Sequence, residues 1–162
     1  WLITQLLALA HSNGHPMVRL YGPASMTMRG GTVTLNFYDP HGKLVDYRRV
    51  EELAGQARIS LRTGCFCNPG AGETAEDLSE EDMQAGIALL GDGVNLLRFS
   101  QVMQARAGKS AGAIRVSTGI ASNFADVARF VSFAAGFKDQ TSLTIGRVSF
   151  DIESCRVVRD GG

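Results

Sequence analysis

Residues 32–38, TVTLNFY, carry the most regular strand pattern in the chain and decide its fold class. Apolar and polar side chains alternate along this stretch, which is the two-residue period of a strand with one buried face. The turn sequence DPHG follows at residues 39–42, and a helical pattern with a buried apolar stripe begins near Asp46. A strand, a turn and an amphipathic helix in succession indicate a domain that contains both a sheet and helices.

Strand and helix patterns alternate through the rest of the chain. Further strands are predicted at residues 17–21, 59–61 and 112–117, further helices at residues 1–12, 78–90, 94–105 and 123–135, and a terminal hairpin or return strand at residues 143–158. A length of 162 residues suits one domain with a real core. The pattern predicts an α/β protein of the α+β sandwich kind, in which a small mixed or antiparallel sheet has helices packed on one face.

The amino-acid composition of the chain restricts the kinds of molecule that it could bind. Lys plus Arg and Asp plus Glu number 16 each, so the chain offers no basic footprint for nucleic acid or an anionic membrane. No apolar run approaches the ~20 residues that a membrane-spanning helix needs. Three cysteines, two of them one residue apart, do not make a disulfide framework. We therefore predict a reducing, cytoplasmic setting.

Two of the cysteines lie in the stretch RTGCFCNPG at residues 62–70. In an extended backbone Cys65 and Cys67 would point to the same side with Cα atoms roughly 6.5 Å apart, a geometry that strains a disulfide. A zinc site needs about four ligands, and no second cysteine pair or suitably spaced histidine pair supplies the rest. Two interpretations remain, a reactive thiol or two small residues that pack in a semi-buried position.

A reactive thiol needs positive charge nearby to become a thiolate. Arg62 lies five residues before Cys67, and Gly64, Asn68 and residues 70–72 predict a loop that can carry a sulfur atom to a substrate. Arg115 alternates with apolar residues in a predicted strand, so it would occupy the face opposite the core, where it could bind a carboxylate. Each arginine could instead be an ordinary solvated residue, Arg115 on an edge strand.

These residues resemble one family. Arg62-Thr63-Gly64 followed by Cys67 resembles the Arg-x-Gly-x-x-Cys loop of pyridoxal-phosphate-dependent cysteine desulfurases, in the class V aminotransferase group. The stretch LRTGCFCNPGA at residues 61–71 is similar to that of molybdenum cofactor sulfurases in particular. Residues 31–38, 112–117 and 122–127 resemble strands and a helix of that fold's C-terminal domain, and the resemblance spans roughly residues 15–136.

The resemblance implies a role for each matching residue. Cys67 would be the catalytic nucleophile, which takes the sulfur of a substrate L-cysteine and becomes a persulfide. Arg62 would support the loop and its charge, and Arg115 would bind the carboxylate of the substrate. Cys65 and Asn68 are accessory candidates, and Cys65 could relay sulfur or simply pack. Many sulfurases carry a third cysteine where this chain has residues 72–73, which leaves the sulfur acceptor open.

The resemblance also implies a cofactor that this chain does not hold. Pyridoxal phosphate needs a Schiff-base lysine, which the family carries in a large N-terminal domain, and Lys43, Lys109 and Lys138 lie in no such context. The chain is therefore predicted to be part of a longer enzyme and inactive alone. The predicted divisions are the end of an interdomain helix at residues 1–14, the small domain at residues 15–136 and a terminal extension at residues 137–162.

The resemblance implies partners as well: L-cysteine, a sulfur acceptor such as the molybdenum cofactor, the N-terminal domain, and a second copy of the parent protein in a homodimer. Two other functions stay open. The chain could be a lyase or epimerase domain of the same fold in which the cysteines are incidental. It could also be a cofactor-free sulfur carrier or protein-interaction module.

Overall fold

The computed structural model of the protein describes residues 1–64, 66, 69–90, 110, 112–146, 148–151 and 156–159. Its centre is a four-stranded sheet in which every pair of neighbouring strands is antiparallel. The strands are β1 (Val18–Tyr21), β2 (Thr32–Phe37), β3 (Arg62–Gly64) and β4 (Ala113–Ser117), in the spatial order β1-β2-β4-β3. β2 and β4 are therefore the central strands, and β1 and β3 are the edges.

Helices and a separate hairpin complete the described part of the chain. The helices are α1 (Leu2–Leu7), α2 (Tyr47–Gln56), α3 (Pro69–Glu76), α4 (Glu80–Leu90), α5 (Phe124–Ala135) and α6 (Ser142–Ile145), and the hairpin pairs β5 (Val148–Asp151) with β6 (Arg156–Arg159). The predicted α+β class with a small antiparallel sheet is confirmed.

The core lies on one face of the sheet. The apolar residues of β2 that the strand period places on one side are all buried, and Leu35 and Phe37 are fully so. Helices α1, α2 and α5 contribute apolar side chains to the same core, and the ring of Phe37 lies 5.0 Å from that of Phe137, just beyond α5. The two-residue period of β2 thus places one row of side chains under α1, α2 and α5 and the other row on the opposite face.

Four predicted elements differ from the structure. Residues 143–145, expected in the terminal hairpin or return strand, belong to α6, and the hairpin begins at Val148. The strand expected at residues 59–61 lies slightly later, at Arg62–Gly64, and the first helix stops at Leu7 rather than near residue 12. Residues 70–72, expected in a loop, belong to α3. A helix can begin at Pro69 because the first helical position needs no backbone N–H donor. The helix predicted at residues 94–105 lies outside the described residues.

Candidate functional site

Two arginines lie side by side on the sheet face opposite the core. The strand register pairs Arg115 of β4 with Thr34 on one side and with Arg62 of β3 on the other. Residues directly opposite in an antiparallel pair have Cβ atoms about 5 Å apart and share one face. Both arginines are exposed. The sequence predictions of Arg62 and Arg115 as site residues thus converge on one place, although the sequence did not indicate that they are neighbours.

The arginine pair (Arg62 and Arg115) concentrates positive charge on this face. Among the described residues neither guanidinium has a hydrogen-bond or ion-pair partner. Like charges directly opposite each other in a sheet repel, so this arrangement lowers stability unless an anion binds. Arg115 lies on a central strand and not on an edge strand, and its side chain is exposed. The pair suits a carboxylate, which a guanidinium binds through two parallel hydrogen bonds.

The backbone that leads from Arg62 to the cysteines is held on two sides. Thr63 Oγ1 donates a hydrogen bond to Glu51 Oε2 of α2, at 2.5 Å. A Cβ atom at Gly112 would lie 2.8 Å from the carbonyl oxygen of Gly64 and 2.9 Å from the ring of Tyr47, so only glycine fits there. Gly64 itself has φ +129°, a conformation that other residues rarely adopt. The chain therefore enters the cysteine stretch from a fixed point.

The three remaining predicted site residues, Cys65, Cys67 and Asn68, lie outside the described residues. Phe66, between the two cysteines, is described. Its ring packs edge-on against the ring of Tyr21, with centroids 5.9 Å apart. Its side chain also lies against Gly72 of α3, where an added Cβ would come within 3.3 Å of the Phe66 Cβ. Phe66 is thus wedged between β1 and α3.

A buried polar cluster, which the sequence analysis missed, lies beside Phe66. We call Tyr21, Asn36 and Glu76 the polar cluster. The Tyr21 hydroxyl donates to Glu76 Oε2 at 2.9 Å, and Asn36 Nδ2 donates to the Tyr21 hydroxyl at 3.0 Å and lies 3.2 Å from Glu76 Oε1. Asn36 is fully buried and Glu76 is 2% exposed. Asn36 belongs to the polar row of β2, so the alternation predicts a solvated side chain. Only the position of α3 shows that it is buried.

Burial makes the Glu76 carboxyl a weaker acid than an ordinary glutamate. Removal from water raises the pKa of the Glu76 carboxyl to about 7, although the Tyr21 hydroxyl and the charge of Arg19 work in the opposite direction. Burial and the nearby Glu76 carboxylate also raise the pKa of Tyr21. At neutral pH the Tyr21 hydroxyl is therefore protonated, while Glu76 is divided between its two forms.

The described residues do not form a site for a metal ion or for pyridoxal phosphate. No group of three or more His, Cys, Asp or Glu side chains among them could hold a metal ion. Lys43 and Lys138 are exposed, in the turn after β2 and just after α5, so neither offers an enclosed amine for a Schiff base. Lys109 lies outside the described residues. The same part of the chain contains no helix long and apolar enough to cross a membrane.

Comparison with known proteins relates this chain to one group of proteins. A molybdenum cofactor sulfurase of Solanum lycopersicum is 43% identical over 132 residues, which cover 80% of this chain and 15% of the relative. The chain is similar to one segment of these sulfurases. Proteins of the same name from Arabidopsis thaliana and Homo sapiens are 38% and 33% identical, over 80% and 79% of the chain.

These comparisons define a segment and not a whole protein. The chain spans about 15% of the length of the curated relatives that it matches. No protein-family model matches it, and no solved structure matches it. The similarity supports a sulfurase-like domain.

Proposed function

We propose that this chain is the C-terminal small domain of a pyridoxal-phosphate-dependent cysteine desulfurase of the class V aminotransferase fold and the molybdenum cofactor sulfurase type. The observation that carries the proposal is the arginine pair, which lies at the start of the stretch that contains Cys65 and Cys67. The similarity to a segment of sulfurases supports it. The small domain would span residues 15–136, after the end of an interdomain helix at residues 1–14 and before an extension at residues 137–162.

Arg115 would bind the carboxylate of L-cysteine. It projects from a central strand, so the sheet fixes its backbone, and the register places Arg62 beside it. The second guanidinium adds attraction for the carboxylate and favours the thiolate form of a cysteine that follows in the chain. Repulsion between the two arginines would then be relieved when the substrate binds.

Cys67 would be the residue that accepts sulfur. In the net reaction the carbon–sulfur bond of L-cysteine breaks and a sulfur–sulfur bond to Cys67 forms. The products, alanine and a Cys67 persulfide, together contain the atoms of L-cysteine and the Cys67 thiol. Cys65 and Asn68 are accessory candidates, Cys65 as a sulfur relay or a packing residue.

Pyridoxal phosphate would be held by another part of the parent protein, since the described residues provide no suitable lysine. The parent would act in the cytoplasm as a homodimer, and the chain alone would not turn over. The names of the relatives make the molybdenum cofactor the first sulfur acceptor to test.

The test uses the full-length natural protein with its cofactor, supplied with L-cysteine, and measures sulfide release and persulfide mass on tryptic peptides. We expect Cys67→Ala to lower release at least about 100-fold, because the sulfur loses its acceptor. Cys65→Ala serves as the matched control and should keep the Cys67 persulfide. Unchanged release in Cys67→Ala would refute the persulfide mechanism and favour a lyase or epimerase in which the cysteines are incidental.

The same assay tests the arginine. Arg115→Lys should raise the KM for L-cysteine at least about tenfold, because a lysine cannot bind a carboxylate through two parallel hydrogen bonds. Arg129, exposed on α5 and far along the chain from the arginine pair, provides the control as Arg129→Lys. An equal KM in the two variants would remove Arg115 from the substrate site.

A further inference from the structure

The polar cluster has no part in the function proposed so far, yet Asn36 and Glu76 are buried and the Tyr21 ring packs against Phe66 in the cysteine stretch. Tyr21 lies at the end of β1, Asn36 in the centre of the sheet on β2, and Glu76 at the last residue of α3. Helix α3 begins at Pro69, two residues after Cys67. The hydrogen bonds of Glu76 therefore attach α3, the helix that follows the cysteine stretch, to the sheet.

Tyr21 connects the two sides of that stretch. Its hydroxyl donates to Glu76, and its ring packs against Phe66, which lies between the two cysteines. Phe66 in turn lies against Gly72, in the first half of α3, where a larger residue would crowd the Phe66 ring. The contacts thus run from Glu76 through Tyr21 to Phe66 and back to α3.

Asn36 joins the polar cluster to the strand that carries Arg115. Its Nδ2 also donates to the carbonyl oxygen of Gly112, at 3.0 Å, just before β4 begins. The other atom of the amide, Asn36 Oδ1, is buried and has no hydrogen-bond partner in the described part of the chain. Burying an unpaired amide oxygen costs free energy, so Asn36 is a poor residue for filling space alone.

We propose that Tyr21, Asn36 and Glu76 are positioning residues that hold Phe66 and helix α3 against the sheet, and so set where Cys67 meets its substrate. This inference rests on the proposed function of Cys67. The polar cluster would not touch the substrate. It would act through Phe66 on one side of Cys67 and through the start of α3 on the other.

The charged and titratable groups around Glu76 determine the pH at which its carboxyl ionises. On β1, Tyr21 donates a hydrogen bond to it and Arg19 contributes a positive charge, while Asn36 on β2 is neutral; Arg19 is itself held by the carbonyl oxygen of Ala75, at 3.1 Å. Burial raises the pKa of Glu76 from 4.5 to about 7. When α3 separates from the sheet, Glu76 returns to its ordinary acidity, so rising pH favours that separation between about pH 4.5 and 7.

Hydrogen exchange of the α3 amides tests the attachment without any need for activity. In the full-length protein, the opening equilibrium of α3 should rise about tenfold or more between pH 5.5 and 8, after correction for the intrinsic pH dependence of exchange. Glu76→Gln should remove this dependence. Glu81→Gln, an exposed glutamate on α4, is the matched control and should behave as the natural protein does.

Persulfide formation tests the positioning. Glu76→Ala should lower kcat about tenfold and leave the KM for L-cysteine within about twofold, because the arginine pair is intact. Glu76→Gln should restore most of kcat, since its amide oxygen still accepts from the Tyr21 hydroxyl. Phe66→Ala should lower kcat by a similar factor, and the double variant should be no slower than either single one.

Tyr21→Phe keeps the test decisive if Glu76→Ala fails to fold. This variant retains the ring and loses only the hydroxyl, so we expect α3 to exchange several-fold faster at pH 7 and kcat to fall. The proposal would be overturned if Tyr21→Phe showed the exchange and kcat of the Glu81→Gln control and the exchange of Glu76→Gln kept the control's dependence on pH. Unchanged sulfide release in Cys67→Ser would overturn the proposed function instead, because the exchange measurement does not depend on a thiol.

Discussion

Arg62 and Arg115 lie directly opposite each other on neighbouring strands, so two positively charged side chains share one position of the sheet. A fold selected for stability alone would place opposite charges, or a charge and a polar group, at such a position. Thr34, on the other side of Arg115, is that kind of neutral neighbour. The sheet thus tolerates repulsion at one register position, next to the stretch that holds Cys65 and Cys67.

Asn36 gives a testable consequence of the polar cluster for stability. Its Nδ2 lies within 3.2 Å of the Tyr21 hydroxyl, Glu76 Oε1 and the Gly112 carbonyl oxygen. Asn36→Leu would leave buried acceptors unpaired, so we expect a loss of about 2–4 kcal/mol in the free energy of unfolding. Urea denaturation at pH 7 measures it.

Thr34→Val is the control for Asn36→Leu, since Thr34 shares the strand and the face but is only half-buried. It should change the free energy of unfolding by less than about 1 kcal/mol. Equal effects of the two variants would mean that the hydrogen bonds of Asn36 contribute nothing specific.

Residue patterns in the sequence predicted the site only in part, and Asn36 shows why. Alternation along β2 correctly separated its apolar row from its polar row, because a strand period of two is a local property. Whether the polar row meets water depends on what covers it. Glu76, which covers Asn36, is 40 positions away in the sequence. It lies in α3, a helix that was not predicted because residues 70–72 are typical of a loop.

At the scale of elements, helix α5 is the one that local sequence signals predict most reliably. Asn123 Oδ1 accepts from the backbone N–H of Ala125 and Asp126, and Asp126 Oδ2 accepts from the backbone N–H of Asn123. The helix predicted from residue 123 begins at Phe124, with Asn123 as its N-cap, so the predicted helix start is confirmed. The strand predicted at residues 59–61 was misplaced because its boundary depends on pairing with β4, which no local pattern contains.

The cap of α5 should contribute measurably to stability. Asn123→Ala leaves two backbone N–H groups without their side-chain acceptor, so we expect a loss of about 1 kcal/mol in the free energy of unfolding. Asn123→Asp keeps an acceptor oxygen in the same place and should stay within about 0.5 kcal/mol. Chemical denaturation of both variants compares them, and equal losses would show that the cap is dispensable.

At the scale of the whole molecule, the segments after α1 and α5 are tied together although they are far apart in sequence. Asp139 accepts hydrogen bonds from the backbone N–H and the hydroxyl of Ser12, at 2.8 and 2.6 Å. His11 is buried beside them: its Nδ1 accepts from the backbone N–H of Asp139 and its Nε2 donates to the carbonyl oxygen of Tyr38, both at 2.9 Å. The apolar core and this polar tie close the same side of the sheet.

The hydrogen bonds between Ser12 and Asp139 make the stability of the fold depend on pH in a predictable direction. The hydroxyl and then the backbone N–H of Ser12 hold the pKa of Asp139 below its ordinary value of 3.8. A carboxyl whose pKa is lowered by folding stabilises the protein above its unfolded pKa, and this contribution is lost as pH falls through the folded pKa. Asp139→Asn should therefore lower Tm at pH 7 and lower it less below pH 3. Calorimetry from pH 2.5 to 7, with the exposed Glu80→Gln as control, measures the difference, and a Tm gap that stays constant across this range would contradict the assigned role of Asp139.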